Sequence, residues 1–299
     1  MKKVLLIYNP MAGNNRFKNH LDRIINIVQN QGSYLFPYRS NSVEELEKLF
    51  KTLDLKTLDR IWIAGGDGTI HQVINSLQPQ QFDIPIGIFP VGTANDFAHC
   101  LGYPETIPEI TKTLLGNNYI PCDVGVANDR YFLNIASLGS IVDISQKTDK
   151  KFKSSLGLLA YYIKGAEELS HLKPVPVSIK SQEISIEEEV FFVLILNGRS
   201  AGGFRKIAPL ASLTDGLLDV YILKKCPIIE LLPLLIKVSN GEHADSRYVE
   251  YFQTSEMIID CTEKIGSDLD GEKGFSFPLK ISVEPQKLKM ITGNMNLKG

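Results

Sequence analysis

Five consecutive residues, Gly65-Gly66-Asp67-Gly68-Thr69, combine three glycines with a carboxylate and a hydroxyl. Glycine has no Cβ, so backbone N–H groups in such a run can close on a phosphate. The run lies between an apolar strand pattern, Ile61-Trp62-Ile63-Ala64, and a helical pattern starting near Thr69. A helix start adds unpartnered N–H donors and the positive end of a dipole. A carboxylate beside phosphate is repelled unless a cation stands between them, so Asp67 is a candidate for organising Mg2+, directly or through water. The plain alternative is a tight strand-to-helix turn with Asp67 as its cap. Two other loops have related contents: Asn9-Pro10-Met11-Ala12-Gly13 and Pro90-Val91-Gly92-Thr93-Ala94-Asn95-Asp96. The second brings another glycine, a hydroxyl, an amide and a second carboxylate, Asp96. Each loop leaves the end of a predicted strand, which is where ligands bind in open α/β sheets. The chemistry that suits this set is phosphoryl transfer from a nucleotide to a hydroxyl.

The elements that must position these loops alternate. Apolar strand patterns at Val4 to Tyr8, Tyr34 to Tyr38, Ile61 to Ala64 and Ile86 to Phe89 are separated by helical spacing over 17–28, 43–53, 69–77 and 94–101. Short buried strands between helices predict a parallel sheet covered on both faces. Beyond about residue 120 strand patterns dominate: 124–127, 131–135, 175–179, 190–196, 218–223, 257–261 and 279–283. Helices are expected only near 156–169 and 228–237, which describes a mostly antiparallel second domain. The boundary is placed near Cys122, giving domains 1–122 and 123–287.

Further residues in the second half carry acid groups. Asp215-Gly216 precedes the strand pattern at Leu218, and Asp270-Gly271-Glu272 precedes the one at Ile281. Both read as turns from chemistry alone. His71 follows the glycine run closely, but on a helix such a residue is more often structural or solvent-facing than catalytic.

In order and spacing, Asn9-Pro-x-x-Gly13, Gly65-Gly-Asp-Gly-Thr69, Pro90-x-Gly-Thr-x-Asn-Asp96, Ala208-Pro209-x-Ala211 leading to Asp215-Gly216-x-Leu218-Asp219, and Asp270-Gly271-Glu272 span nearly the whole chain. In these motifs the chain resembles the diacylglycerol kinase catalytic-domain family in its soluble bacterial, YegS-like form. The resemblance implies an NAD-kinase-like α/β N-terminal domain and a mostly antiparallel β-sandwich second domain. It places ATP in the cleft between them and returns a C-terminal segment, about 288–299, to the first domain. It implies a lipid hydroxyl as acceptor, most simply diacylglycerol. Asn9, Pro10, Met11, Ala12, Gly13, Ser40, Gly65, Gly66, Asp67, Gly68, Thr69, Thr93 and Asn95 then bind the nucleotide, while Asp67 and Asp96 organise the catalytic Mg2+. A structural Mg2+ is implied at the Asp215 carboxylate and the backbone near Ser212 and Leu217. The turn at Asp270 and Glu272 then faces Asp67 and Asp96, with Glu272 the first choice of base and Asp270 close behind. Two departures, Ser200-Ala201-Gly202-Gly203-Phe204 in place of a longer glycine run and Ser140 in place of an aromatic, bear on the acceptor side.

Composition narrows the setting. The formal net charge of -2 gives no global attraction to nucleic acid. The four cysteines form no CxxC pair, which points to buried thiols in a reducing compartment. The N-terminal apolar run is too short for a signal peptide, and no stretch is long enough to span a bilayer. A soluble, cytoplasmic protein is expected, with peripheral contact at the inner face of a membrane and a homodimer both left open. The very apolar segment 228–236 is either an interfacial helix or one packed on the second-domain sheet. The competing functional readings are an NAD kinase, which shares the Gly-Gly-Asp-Gly-Thr loop, and a non-catalytic nucleotide or lipid sensor.

Overall fold

The computed structural model describes residues 1–11, 16–77, 82–139, 173–263 and 265–293. Ala12, Gly13, Ser140, the helix expected at 156–169 and residues 294–299 lie outside the described residues, as do the side chains of Leu235 and Ile236. The chain divides into two compact units, Met1–Val124 with Pro285–Gly299, and Gly125–Glu284.

Unit 1 runs β1 (Lys3–Tyr8), α1 (Leu21–Asn30), β2 (Tyr34–Arg39), α2 (Val43–Thr52), β3 (Arg60–Gly65), α3 (Asp67–Ser76), β4 (Ile86–Pro90), α4 (Asp96–Cys100) and α5 (Ile107–Leu115). The strands are parallel in the order β4-β3-β1-β2. Alternation along each strand decides which helix it meets. Val4, Leu6, Trp62 and Ala64 share one buried cluster with Ile24 and Val28 of α1 and Ile110 and Leu114 of α5. On the opposite face Leu5, Ile7, Ile61 and Ile63 are also buried, and α3 packs against β3 with α2 beside it. Near-continuous apolar strands are what a sheet covered on both sides requires.

Local signals set the helix ends. Ser42 Oγ accepts the Glu45 N–H at 3.3 Å to start α2, and Thr106 does the same for α5 with Pro108 in its first turn. The helical spacing expected over 17–28 resolves into a single 3-10 turn, Phe17–His20, leading into α1. The return of the chain is anchored at Met290, which pairs with Ile86. Asp123, fully buried, accepts the Gln286 N–H at 2.7 Å.

Unit 2 is built from antiparallel strands. β5 (Tyr119–Ala127) enters it and pairs with β6 (Arg130–Phe132). β7 (Ile135–Gly139), β8 (Val175–Ser181), β9 (Ser185–Leu196), β10 (Leu218–Lys224), α6 (Ile228–Asn240), β11 (Val249–Thr254), β12 (Glu256–Cys261), β13 (Ser267–Leu269), β14 (Glu272–Lys273) and β15 (Leu279–Ile291) follow. β9 is the hub, pairing with β7, β8 and β10. Its first half carries exposed Glu187, Glu188 and Glu189, so only its apolar second half is visible as a strand in the sequence. Alternate residues of β8, β9, β10, β12 and β15 fill one core that includes Ile179, Ile195, Val220, Ile259 and Ile281. The fold is therefore a mixed α/β N-terminal part and a mostly antiparallel sandwich-like C-terminal part.

In α6, Leu231 is 2% exposed and packs with Leu234, Phe191, Leu223 and Cys226. Ile228 and Ile229 are exposed, the latter by 81%. Of the two readings of this segment, packing within the unit holds for Leu231 and Leu234. None of the helices among the described residues is long and apolar enough to cross a membrane.

Candidate active site

The candidate nucleotide loops leave the carboxyl ends of neighbouring strands, and the sheet ladder continues one residue into each. Ser40 N–H donates to the Tyr8 carbonyl at 3.0 Å, Asn9 N–H to that of Ala64 at 3.1 Å, and Val91 N–H to that of Gly65 at 3.2 Å. Side chains then lace the loops together. Asn9 Oδ1 accepts the Met11 N–H at 2.8 Å, while its Nδ2 reaches Thr69 Oγ1 at 3.4 Å. Asn95 Oδ1 accepts the Gly92 N–H at 2.8 Å and its Nδ2 donates to the Gly92 carbonyl at 3.0 Å. This double bond holds Asn95 in the left-handed region, φ 53°, a conformation asparagine tolerates better than most residues.

Two glycines are required by contact. A Cβ on Gly92 would stand 2.3 Å from the Gly66 Cα, and a Cβ on Gly65 would stand 2.3 Å from that of Thr69. The second and third loops therefore touch backbone to backbone, which only glycine allows.

Asp67 opens α3, two residues earlier than the pattern suggests, with Gly66 as the N-cap. Its Oδ1 accepts the Phe97 N–H at 3.2 Å, so the carboxylate of the second loop steadies the third at the start of α4. Asp96 and Thr69 are buried, whereas Thr93 is exposed. His71, expected to be structural or solvent-facing, is buried in α3.

In unit 2, Asp270 and Glu272 occupy a tight turn between β13 and β14. Leu269 pairs with Glu272 and Asp268 with Lys273. Asp270 has φ 52° and Gly271 φ 90°, and Asp268 Oδ1 accepts the Gly271 N–H at 2.8 Å. The Asp270 carboxylate accepts three successive backbone N–H groups, from Leu133 at 2.7 Å, Asn134 at 2.9 Å and Ile135 at 3.0 Å. Glu272 is exposed. The strand expected at 131–135 breaks at Leu133-Asn134, where those N–H groups leave the ladder for Asp270.

The Asp215 loop is stabilised by short-range bonds. Asp215 Oδ1 accepts the Leu217 N–H at 3.1 Å and Ser212 Oγ the Thr214 N–H at 3.3 Å. Four residues on, Asp219 is fully buried. It receives hydrogen bonds from two neutral groups, Tyr251 Oη at 2.7 Å and Gln253 Nε2 at 3.4 Å. Burial pushes the Asp219 carboxyl above its ordinary value against those two donors, and the like charge of Asp215 adds to the shift. No group of three or more His, Cys, Asp or Glu residues able to hold a metal occurs among the described residues. A cation here would draw on Asp215 and backbone carbonyls, an all-oxygen set that fits a hard divalent ion. Asp67 and Asp96 are carboxylates, the ligand type that Mg2+ takes together with several waters and substrate phosphates.

Comparison with known proteins identifies the family. Residues 3–127 match the family model described as the diacylglycerol kinase catalytic domain. Residues 136–292 match the YegS C-terminal NAD kinase beta sandwich-like domain. The chain belongs to the diacylglycerol kinase catalytic-domain family, and its class is that of an ATP-dependent lipid kinase. It is 36% identical to a diacylglycerol kinase of Bacillus subtilis (strain 168) over 279 residues, covering 93% of this chain and 92% of that one. It is 30% identical to one from Staphylococcus carnosus (strain TM300), covering 97% and 95%. A crystal structure of a putative diacylglycerol kinase from Bacillus anthracis str. Sterne superposes with a TM-score of 0.84 at 27% identity, covering 98% and 96%. These matches give no support to an NAD kinase or a non-catalytic sensor.

Proposed function

We propose that this chain transfers the γ-phosphoryl group of ATP to the free hydroxyl of diacylglycerol, giving phosphatidic acid and ADP. The observation that carries the nucleotide half is the lacing of three loops at the carboxyl ends of β1, β3 and β4, with Gly66 and Gly92 in backbone contact. N–H groups of the loops that begin at Asn9 and Gly65 would cradle the ATP phosphates, and Ser40, Thr69, Thr93 and Asn95 would add polar contacts. The start of α3 contributes its dipole. Asp67 and Asp96 would hold Mg2+, which when bound offsets the negative charge of the transferring group. Asp215, with the carbonyls of Ser212 and Leu217, would hold a second, structural ion.

In the transfer, the lipid oxygen forms a bond to the γ-phosphorus as the bond to the β,γ-bridging oxygen breaks, and the hydroxyl proton passes to Glu272. Its exposure is what supports that role, since a base must reach the acceptor's proton. Positioning and electrostatics supply most of the acceleration. A lipid acceptor is met at a membrane surface, so the protein works as a peripheral enzyme on the cytoplasmic face.

The test is the folded Asp67→Ala variant, incubated with γ-labelled ATP and vesicles containing diacylglycerol. Wild type labels the lipid and the variant does not. Wild-type turnover by Asp67→Ala would defeat this reading.

A further inference from the structure

Asp270 and Glu272 stand two residues apart on one turn, and the structure gives them different work. A carboxylate offers about four acceptor positions. Three of those on Asp270 are taken by the N–H groups of Leu133, Asn134 and Ile135. The same stretch is held from its carbonyl side, where Asn197 Nδ2 donates to Leu133 and Asn197 N–H to Asn134, both at 2.9 Å. The Asp270 N–H in turn donates to the Ile135 carbonyl at 2.9 Å. Successive backbone N–H groups around one carboxylate form an anion nest. The left-handed backbone of Asp270, φ 52°, is a further mark of a residue fixed by its surroundings.

We infer that Asp270 is a positioning residue: its carboxylate clamps the break between β6 and β7 to the β13–β14 turn and so fixes where Glu272 stands. This rests on the reading of Glu272 as the base. Asp270 holds a set of backbone amides while Glu272 meets the acceptor.

Asp270→Ala, Asp270→Asn and Glu272→Gln in the full chain separate the roles, each measured for kcat against pH, KM for ATP and thermal midpoint. Asp270→Ala should lower both the thermal midpoint and kcat, the latter about 10- to 100-fold, as when a reacting group shifts by about 1 Å. KM for ATP should stay within about twofold, because the partners of the clamp, Leu133, Asn134 and Ile135, are none of the residues assigned to the nucleotide. Asp270→Asn keeps an oxygen for the Asn134 and Ile135 N–H groups and should recover most of the loss. Both variants should retain the acid limb of the kcat–pH profile. Glu272→Gln should keep the thermal midpoint and lose at least about 100-fold in kcat, the usual scale for removing a general base. The inference is overturned if Asp270→Asn abolishes the acid limb, or if Asp270→Ala leaves the thermal midpoint unchanged. Wild-type kcat in Glu272→Gln would instead defeat the reading of Glu272 as base, with the midpoints and the asparagine recovery still reporting on the clamp.

Discussion

Replacing Gly92 by alanine tests whether the second and third loops form one nucleotide cradle. The backbone at Gly92 is not left-handed, so an alanine there meets no intrinsic strain and the cost is contact alone. Its Cβ would stand 2.3 Å from the Gly66 Cα, 2.8 Å from Asn95 Oδ1 and 3.1 Å from the Gly66 nitrogen. Carbon atoms sit comfortably at about 3.5–4.0 Å, so one loop must retreat by more than about 1 Å. That overpacking costs about 1–3 kcal/mol, and loss of the Gly92 to Asn95 bond adds about 1 kcal/mol. The total, about 2–4 kcal/mol, divides between folding and nucleotide binding. If it falls on binding, each 1.4 kcal/mol is tenfold in affinity. Gly66→Ala is milder, since its Cβ meets the Gly92 Cα at 3.0 Å, and should cost about 1 kcal/mol. Steady-state kinetics with varied ATP, together with thermal denaturation, reads both terms. A Gly92→Ala enzyme with unchanged KM and unchanged melting would refute the contact, and with it the coupling of the two loops.

Two further outcomes follow from unit 2. His243 is 3% exposed and stacks on Tyr221 with ring centroids 4.7 Å apart. Neither ring nitrogen has a partner at hydrogen-bond geometry. Burial holds its pKa below the ordinary 6.5, offset only in part by the Ile207 backbone. A histidine whose folded pKa is depressed favours folding while neutral, so its contribution is complete above pH 6.5 and is lost as pH falls from there toward the folded value. His243→Phe, which keeps the stack, should flatten the stability–pH curve in that window, and an unchanged slope in chemical denaturation would count against this. Along α6, Leu231→Glu should destabilise by about 3 kcal/mol or more through a buried unpaired charge, while Ile229→Glu should stay within about 0.5 kcal/mol. Equal melting shifts for the two would show that the buried and exposed faces are wrongly assigned.

Much of unit 1 was legible because its strands are short apolar runs and its loops carry glycine, asparagine and aspartate at strand ends. α5 was missed: its signals, Thr106 and Pro108, are local capping chemistry, and its apolar stripe of Ile107, Ile110 and Leu114 is short. The earlier start of α3 was hidden because Gly66-Asp67-Gly68 looks like loop, although an acidic residue in a first helical turn is favourable. The contact between Gly66 and Gly92 joins the loops that follow two adjacent strands, and no spacing rule reveals it. Asp270 illustrates the limit most clearly. From the sequence, Asp-Gly-Glu is a solvated acidic turn, and its partners at 133–135 lie far away in the chain. Asp219 was visible only as part of a motif; that it is buried with two neutral donors depends on strand pairing between β10 and β11.

The central claim is the acceptor. Incubating the protein with γ-labelled ATP and Mg2+ alongside vesicles carrying diacylglycerol, monoacylglycerol, ceramide or a sphingoid base, with NAD in a parallel reaction, and separating the products by thin-layer chromatography, tests it directly. The account predicts label in phosphatidic acid, lost in Asp67→Ala and Glu272→Gln. Label in NADP with none in any lipid would contradict it.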